Sequence, residues 1–332
     1  MDVSLSVWLI TVAVIGGLFL FDFVAHVRTP HAPSLRESAT WSAVYIALAV
    51  AFGAFVWWQW GATSGGEYLA GYVTEKALSV DNLFVFVIII ARFAVPPEYQ
   101  QKVLLLGIVM ALGIRGVFIA VGAAAINAHS WVFYLFGAFL IATAVKLIRE
   151  SDDPVEHEVQ RESRLERFVR EHLRTHDSYD GDRLVTRIDG RRLATPMLTV
   201  LIVIGFTDVL FALDSIPAIY GLTSEPYLVF TANAFALMGL RQLYFLLGGL
   251  LDRLVYLSIG LSVVLAFIGA KLVLHALHEN TLPFVNGGEH VAVPEISTPV
   301  SLSVVVGVLV VTTVASLIRS RRPAHSGNGP KT

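Results

Sequence analysis

Residues 75–81 read Glu-Lys-Ala-Leu-Ser-Val-Asp, and residues 208–214 read Asp-Val-Leu-Phe-Ala-Leu-Asp. Each segment places two acids at the same spacing inside an apolar stretch that is long enough to cross a bilayer. A carboxylate in hydrocarbon is costly, so an acid inside a membrane span usually serves a function. Two matched copies predict a duplicated membrane transporter with a cation site between the copies.

The composition is that of a membrane protein. Of the 332 residues, 55% are hydrophobic and 15% are charged, with a mean hydropathy of +0.67, whereas soluble proteins carry roughly 25% charged residues. The net charge of −2 and the lack of a basic stripe predict no nucleic-acid partner. The chain has no cysteine, which excludes disulfides, thiolate metal sites and cysteine nucleophiles. No His-Glu-x-x-His-type motif supports a metal-dependent hydrolase, so we expect neither enzyme activity nor a resident cofactor.

Hydropathy predicts an all-α polytopic membrane protein with about nine transmembrane helices. The first apolar stretch lacks a basic region before it, so we expect a retained helix rather than a signal peptide. Before the second span, Ser34-Leu-Arg-Glu37 has the pattern of a capping box at a helix start. The predicted spans cover 4–24, 39–60, 70–91, 102–125, 130–149, 197–217, 226–250, 254–277 and 300–318.

Positive charges predict the orientation in the cytoplasmic membrane. If the N-terminus lies outside, the loops assigned to the outside, including 278–298, contain no Lys or Arg, and the C-terminus lies inside. Of the 24 basic residues, the only ones that are not on the inside fall within spans, namely Lys76, Arg115, Lys146, Arg241 and Lys271.

One polar insert divides the chain. Residues 151–195 are predicted to be cytoplasmic, with an amphipathic surface helix over 156–174 and a hairpin over 183–195 that turns at Asp189-Gly190. A partner could dock on this insert. The predicted domains are two N-terminal helices in 1–60, a first repeat in 70–150, the insert, a second repeat in 196–277, a C-terminal helix in 300–318 and a disordered tail in 321–332.

The two repeats match beyond their acids. Arg115 follows the first acid pair as Arg241 follows the second, and Lys146 and Lys271 come next in the same order. Each unit has three helices, and an odd number places the second copy upside down, which predicts inverted repeats around a midplane site. The alternative is that short apolar segments match by chance.

The acids near the middle of their spans are the first candidates for the site, and these are Asp81 and Asp214. Glu75 and Asp208 lie nearer to the span ends. A spacing of six residues is about 240° on a straight helix, so the two acids of one segment do not share a face unless the helix is broken. Pro217 predicts a kink or discontinuity in the sixth span.

Neutral oxygens from Asn82, Ser215 and Asn233 add to the carboxylates. Such an all-oxygen set suits a hard divalent cation, namely Mn²⁺, Mg²⁺ or Ca²⁺. Arg115 and Arg241 are predicted as charge partners on the flanks of the converging acids. Structural ion pairs or a proton relay through the same acids are the alternatives. Asp22 and His26, one helical turn apart, are predicted to form a separate ion pair.

Two segments carry a resemblance to a known family. Ser79-Val-Asp-Asn-Leu-Phe-Val-Phe86 and Phe211-Ala-Leu-Asp-Ser-Ile-Pro-Ala-Ile219 resemble the TerC/Alx family of integral membrane proteins, and the similarity covers roughly residues 20–320. Blocks at 231–241 and 134–139 look similar to that family as well. Many members carry Glu where this chain has Gly205, which would leave its site one carboxylate poorer. The metal-site residues that the resemblance implies are Asp81, Asn82, Asp208, Asp214 and Asn233.

The resemblance also implies membership of the LysE-like transporters and a role in metal-ion homeostasis, most often manganese export, with a historical association with tellurite resistance. Together with the acids, it predicts outward transport of a divalent cation, with Mn²⁺ first, by alternating access. The competing hypothesis is a non-transporting membrane component that docks tellurite-resistance or metalation proteins on 151–195.

Overall fold

The structure is a computed structural model that describes residues 1, 3–27, 33–129, 131–150, 178–188, 191–247, 256–280, 282 and 285–320. The predicted amphipathic helix over 156–174, the Asp189-Gly190 turn and the tail 321–332 lie outside the described residues.

The described chain is almost entirely helical apart from one short hairpin. Seven helices are long and apolar enough to cross a membrane, and these are α1, α2, α3, α4, α5, α8 and α9. The helices are α1 (Leu5–Asp22, continued by a π-helical segment Phe23–Val27), α2 (Leu35–Arg92), α3 (Pro97–Ala128), α4 (Val132–Glu150), α5 (Pro196–Tyr220), α6 (Pro226–Leu237), α7 (Leu240–Leu247), α8 (Leu257–His278) and α9 (Thr298–Ser320), with a 3₁₀ turn at Asn286–Gly288.

Helix α2 is a helical hairpin. A straight helix of its 58 residues would be about 87 Å long, roughly three times the hydrocarbon thickness of a bilayer. The chain turns back at Gly61, whose φ of 90° and ψ of 174° are not helical. The Tyr68 hydroxyl then donates to the Ala49 carbonyl oxygen at 3.1 Å, so the two legs lie side by side. These legs correspond to the predicted second and third spans.

The start of α2 confirms the predicted capping box. The Ser34 hydroxyl accepts from the Glu37 backbone N–H at 3.2 Å, and the Glu37 carboxylate accepts from the Ser34 N–H at 3.4 Å. Both contacts satisfy backbone donors that have no partner within the first helical turn.

The break within the bundle lies in the seventh predicted span and not in the sixth. Helix α6 ends at Leu237 and α7 begins at Leu240, and Gly239 between them has a φ of 77°. Helix α5 runs uninterrupted past Pro217 to Tyr220, so the predicted discontinuity in the sixth span was wrong. Pro217 lacks only its own N–H donor, and the helix ends three residues later, at Tyr220. The total of nine spans and the inverted relation of the repeats remain predictions.

The hairpin predicted near the end of the insert is present. Strand β1 (Val185–Ile188) pairs antiparallel with β2 (Arg191–Ala194). The segment before it is fixed to the ends of two helices: the Tyr179 hydroxyl donates to the Phe93 carbonyl oxygen at 2.7 Å, and the Lys102 ammonium donates to the Asp182 carboxylate at 2.6 Å. This hydrogen bond lowers the pKa of Asp182.

Helices α4 and α8 approach closely where glycines face each other. A Cβ on Gly269 would lie 2.9 Å from the Gly137 carbonyl oxygen, and a Cβ on Gly137 would lie 2.8 Å from the Gly269 carbonyl oxygen. Small residues at such crossings let membrane helices pack backbone to backbone.

A Gly269→Ala change should therefore destabilise the protein by about 1–3 kcal/mol, because the new methyl group meets backbone that cannot move aside. Gly113→Ala is the control, since a Cβ there has nothing within 4 Å. Thermal unfolding of the purified proteins in detergent measures both. Equal unfolding midpoints for the two variants would contradict this account of the contact.

Candidate functional site

A buried arginine holds two of the predicted acids together in the middle of the bundle. Arg115 and Glu75 are 0% exposed and Asp208 is 1% exposed. The Arg115 guanidinium donates through Nε and Nη2 to the Asp208 carboxylate at 3.0–3.3 Å. Its Nη1 donates to Glu75 Oε1 and, at 3.2 Å, to the Ser215 hydroxyl. We call these four residues the central cluster.

Three helices supply the central cluster. Glu75 comes from the second leg of α2, Arg115 from α3, and Asp208 and Ser215 from one face of α5. Two carboxylates share one guanidinium, so the cluster contains more negative than positive formal charge. Each segment of the internal repeat contributes its first acid, whereas the sequence ranked the second acids, Asp81 and Asp214, first.

Several buried polar atoms of α2 and α6 have no hydrogen-bond partner among the described residues. They are Glu75 Oε2, Thr74 Oγ1 and both side-chain amide atoms of Asn233. Asn233 lies on α6, which packs against α2 where a Cβ on Gly71 would lie 3.3 Å from the Ala232 Cβ. Buried polar groups are normally satisfied, so unpaired ones require an explanation such as water or an ion.

The other predicted ligands lie apart from the cluster or are not described. Asp214 lies on α5 but accepts a hydrogen bond from the Thr143 hydroxyl of α4 at 3.2 Å, so it has a different neighbour from Asp208. Asn82 is buried on α2, whereas the side chain of Asp81 lies outside the described residues. Within the described part of the chain, no three His, Asp or Glu side chains form a group that could hold a metal ion.

Arg241 pairs with Asp22, not with the acids of the repeats. Its Nη2 donates to Asp22 Oδ1 at 2.7 Å and its Nη1 to Gln101 Oε1 at 2.8 Å. The Tyr45 hydroxyl also donates to Asp22 Oδ1 at 2.7 Å. This cluster lies at the end of the bundle where α1 ends and α3 begins. Arg241 was predicted to lie on the flank of the converging acids. That prediction is wrong, because the counter-charge of Arg241 is Asp22.

Lys76 is a half-buried residue that the sequence singled out without a role. Its ammonium donates to the carbonyl oxygens of Ala236 and Met238 at 3.0 and 3.2 Å. These carbonyls lie at the C-terminal end of α6, where the break leaves them without helical partners. Lys76, the sequence neighbour of Glu75, thus supplies hydrogen-bond donors at the break between α6 and α7.

The space beside Gly205 is filled by a neighbouring side chain. A Cβ on Gly205 would lie 2.4 Å from Met110 Cε and 2.9 Å from Met110 Sδ. A larger residue at this position would have to displace the methionine, so a thioether occupies the space into which an acid would project.

A cavity of about 450 Å³ opens at the opposite end of the bundle from Asp22 and Arg241. It lies where α5 ends, and the Thr223 hydroxyl donates to the Glu67 carboxylate at its wall at 2.7 Å. We call it the outer cavity, because the predicted topology places it outside. Its charged lining residues among those described are Glu67, Lys271 and Glu295, with His275 beside them.

Comparisons with known proteins agree with the resemblance. The model of the integral membrane protein TerC family matches residues 60–324. An uncharacterized membrane protein of Mycobacterium tuberculosis is 50% identical over 98% of this chain and 82% of its own length. One of Myxococcus xanthus is 39% identical over 99% and 97%. An Escherichia coli protein named as a candidate membrane-bound redox modulator, Alx, is 38% identical over 86% and 85%. No solved structure matches the chain.

Proposed function

The chain belongs to the TerC family of integral membrane proteins, and from this premise we propose that it moves a divalent metal cation, with Mn²⁺ first, outward across the cytoplasmic membrane. The observation that carries the proposal is the central cluster, in which Glu75 and Asp208 are buried around one arginine. Buried acids in membrane helices commonly mark ion pathways.

The donor chemistry favours a hard cation. The central cluster and its surroundings offer carboxylate, hydroxyl and amide oxygens, and Glu75 Oε2 and Asn233 Oδ1 have no partner among the described residues. Mn²⁺, Mg²⁺ and Ca²⁺ prefer such ligands, while softer metals prefer thiolates, which this sequence does not contain. The proposed ligand set also includes Asp81 and Asp214.

The two ends of the bundle differ in a way that fits alternating access. The end near Asp22 is tied by Arg241 and Gln101, whereas the outer cavity opens toward the other end. An ion carrier must close one side while the other is open. We therefore take the end near Asp22 as the closed side of the carrier and the end with the outer cavity as the side that opens.

A second function is a membrane component that docks partners on residues 151–195. Tyr179 and Asp182 form hydrogen bonds at the ends of α2 and α3. These contacts support the docking function, because a partner bound there would contact the helix bundle directly. The name of the Alx relatives suggests a redox role for those proteins. In this chain such a role would use groups other than thiols, since it has no cysteine.

Purified protein in liposomes should transport Mn²⁺ above the rate of protein-free liposomes, and a survey of Mn²⁺, Ca²⁺, Mg²⁺, Zn²⁺ and Fe²⁺ would rank the ions. Asp214→Asn should lower the rate at least about tenfold, because an amide is a weaker ligand for a hard cation than a carboxylate. Asp182→Asn is the control, since this acid lies outside the spans.

An experiment in cells distinguishes the transport function from the docking function. A deletion strain should accumulate Mn²⁺ and should be rescued by the wild-type gene but not by Asp214→Asn. Rescue by Asp214→Asn, combined with failure of a variant that lacks 155–192, would support the docking function and would overturn transport.

A further inference from the structure

The guanidinium of Arg115 donates from all three of its nitrogens to acids. Nε and Nη2 bind the Asp208 carboxylate and Nη1 binds Glu75, and among the described residues the Ser215 hydroxyl is its one neutral partner. All of these groups are at least nine-tenths buried. Arg115 therefore supplies to both carboxylates the positive charge that a bound metal ion would supply.

From this geometry we propose that Arg115 is a tethered counter-ion, which occupies the acidic site when no metal is bound and so lets the empty carrier change conformation. The inference rests on the proposed transport function and adds the means by which the carrier resets. In this proposal Arg115 leaves the carboxylates when metal binds and returns to them when metal leaves, whereas in a static ion pair it would stay in place throughout.

The guanidinium and a metal ion compete for the same lone pairs. A divalent cation binds carboxylate oxygens at roughly 2.0–2.6 Å, and both Asp208 oxygens and Glu75 Oε1 already accept from Arg115. One Glu75 oxygen, Oε2, has no hydrogen-bond partner among the described residues. An entering metal can bind this oxygen first and then displace the guanidinium from the others.

Alternating access makes the counter-ion necessary. Net transport requires the carrier, once empty, to change back to the conformation in which it first bound its cargo. Two unpaired carboxylates in a low-dielectric interior would oppose that conformational change. A guanidinium on a neighbouring helix removes the obstacle because arginine remains charged under all physiological conditions. Exchange of one metal ion for another needs no such return, since the site stays loaded.

This difference defines the experiment. Wild-type and Arg115→Gln proteins in liposomes are compared in two modes: net Mn²⁺ uptake into metal-free liposomes, and exchange of radioactive Mn²⁺ with equal Mn²⁺ on both sides. Arg115→Gln should lose net uptake at least about tenfold, while exchange stays within about threefold of wild type, because only the empty return step needs the charge. Arg115→Lys, which keeps a cation, should recover part of the net uptake.

A stability measurement tests whether the Arg115→Gln protein is folded. In chelator, Arg115→Gln should unfold at a lower temperature than wild type, and Mn²⁺ should raise its midpoint more than it raises that of wild type, since the competitor is gone. Net uptake and exchange that fall together, or that both remain unchanged, would overturn the proposal, as would a midpoint that Mn²⁺ leaves unmoved. Absence of Mn²⁺ movement by the wild-type protein in either mode would instead overturn the proposed function.

Discussion

Changing Asp208 to Asn should lower metal transport by about a hundredfold while the protein stays folded. The change removes one carboxylate from the proposed cation site. It also leaves Arg115 facing Glu75 alone, so that one buried positive charge meets one negative charge. The buried charge is then balanced, and we expect an unfolding midpoint equal to or above that of wild type.

Thr207→Val is the matched control, because Thr207 is the buried neighbour of Asp208 and its hydroxyl donates within the helix to the Val203 carbonyl oxygen. Its transport rate should stay within about twofold of wild type, as for most substitutions that remove no charge. Liposome uptake of Mn²⁺ measures rate, and thermal unfolding in detergent measures stability. Wild-type uptake by a folded Asp208→Asn protein would show that the central cluster serves structure alone.

The second large effect concerns stability at the other end of the bundle. Arg241→Met should cost about 3–5 kcal/mol, because it removes the guanidinium that donates to the buried Asp22 carboxylate at 2.7 Å. Asp22 is 6% exposed and Arg241 is 3% exposed, so water cannot replace the lost contact. The double variant Asp22→Asn/Arg241→Met should recover a large part of this loss, since the buried negative charge is removed together with the positive one.

Chemical unfolding of the two single variants and the double variant gives the coupling between the residues. Arg319→Gln is the control, because that arginine is exposed where it donates to the Tyr256 hydroxyl at 2.8 Å, and its loss should cost less than about 0.5 kcal/mol. Effects of Asp22→Asn and Arg241→Met that simply add would show that the ion pair contributes little.

Features with local causes could be predicted from the sequence. The capping box at Ser34, the hairpin at 185–194 and the apolar helices each follow from residues close together in the chain. That buried acids would lie beside a buried arginine was also predictable, because opposite charges in a low-dielectric interior stabilise each other, but the sequence ranked Asp81 and Asp214 above Glu75 and Asp208.

Choices between competing long-range partners could not be predicted. Arg241 had two possible counter-charges, and spacing alone could not show that Asp22 of α1 lies closer than the acids of the repeats. Pro217 indicated a break, but α5 continues through it to Tyr220, and the residues around it are buried against neighbouring helices, so packing keeps the helix continuous. The break lies at Gly239, where the ammonium of Lys76 donates to the free carbonyl oxygens. Because that lysine is far away in sequence, the local pattern around Gly239 could not show the contact.

The hairpin turn at Gly61 has a consequence for how the protein is made. Tyr68 and Ala49 are 19 residues apart in sequence, so closing their contact costs little loop entropy. Domains and subdomains form from the N-terminus during synthesis, and this hairpin can close before α3 has left the ribosome. Glu75 lies on its second leg, so the nascent chain carries an acid toward lipid before Arg115 exists. We expect this acidic leg to stay at the membrane surface until α3 arrives, which makes the interval between these two helices the step at which a translational pause would most disturb assembly.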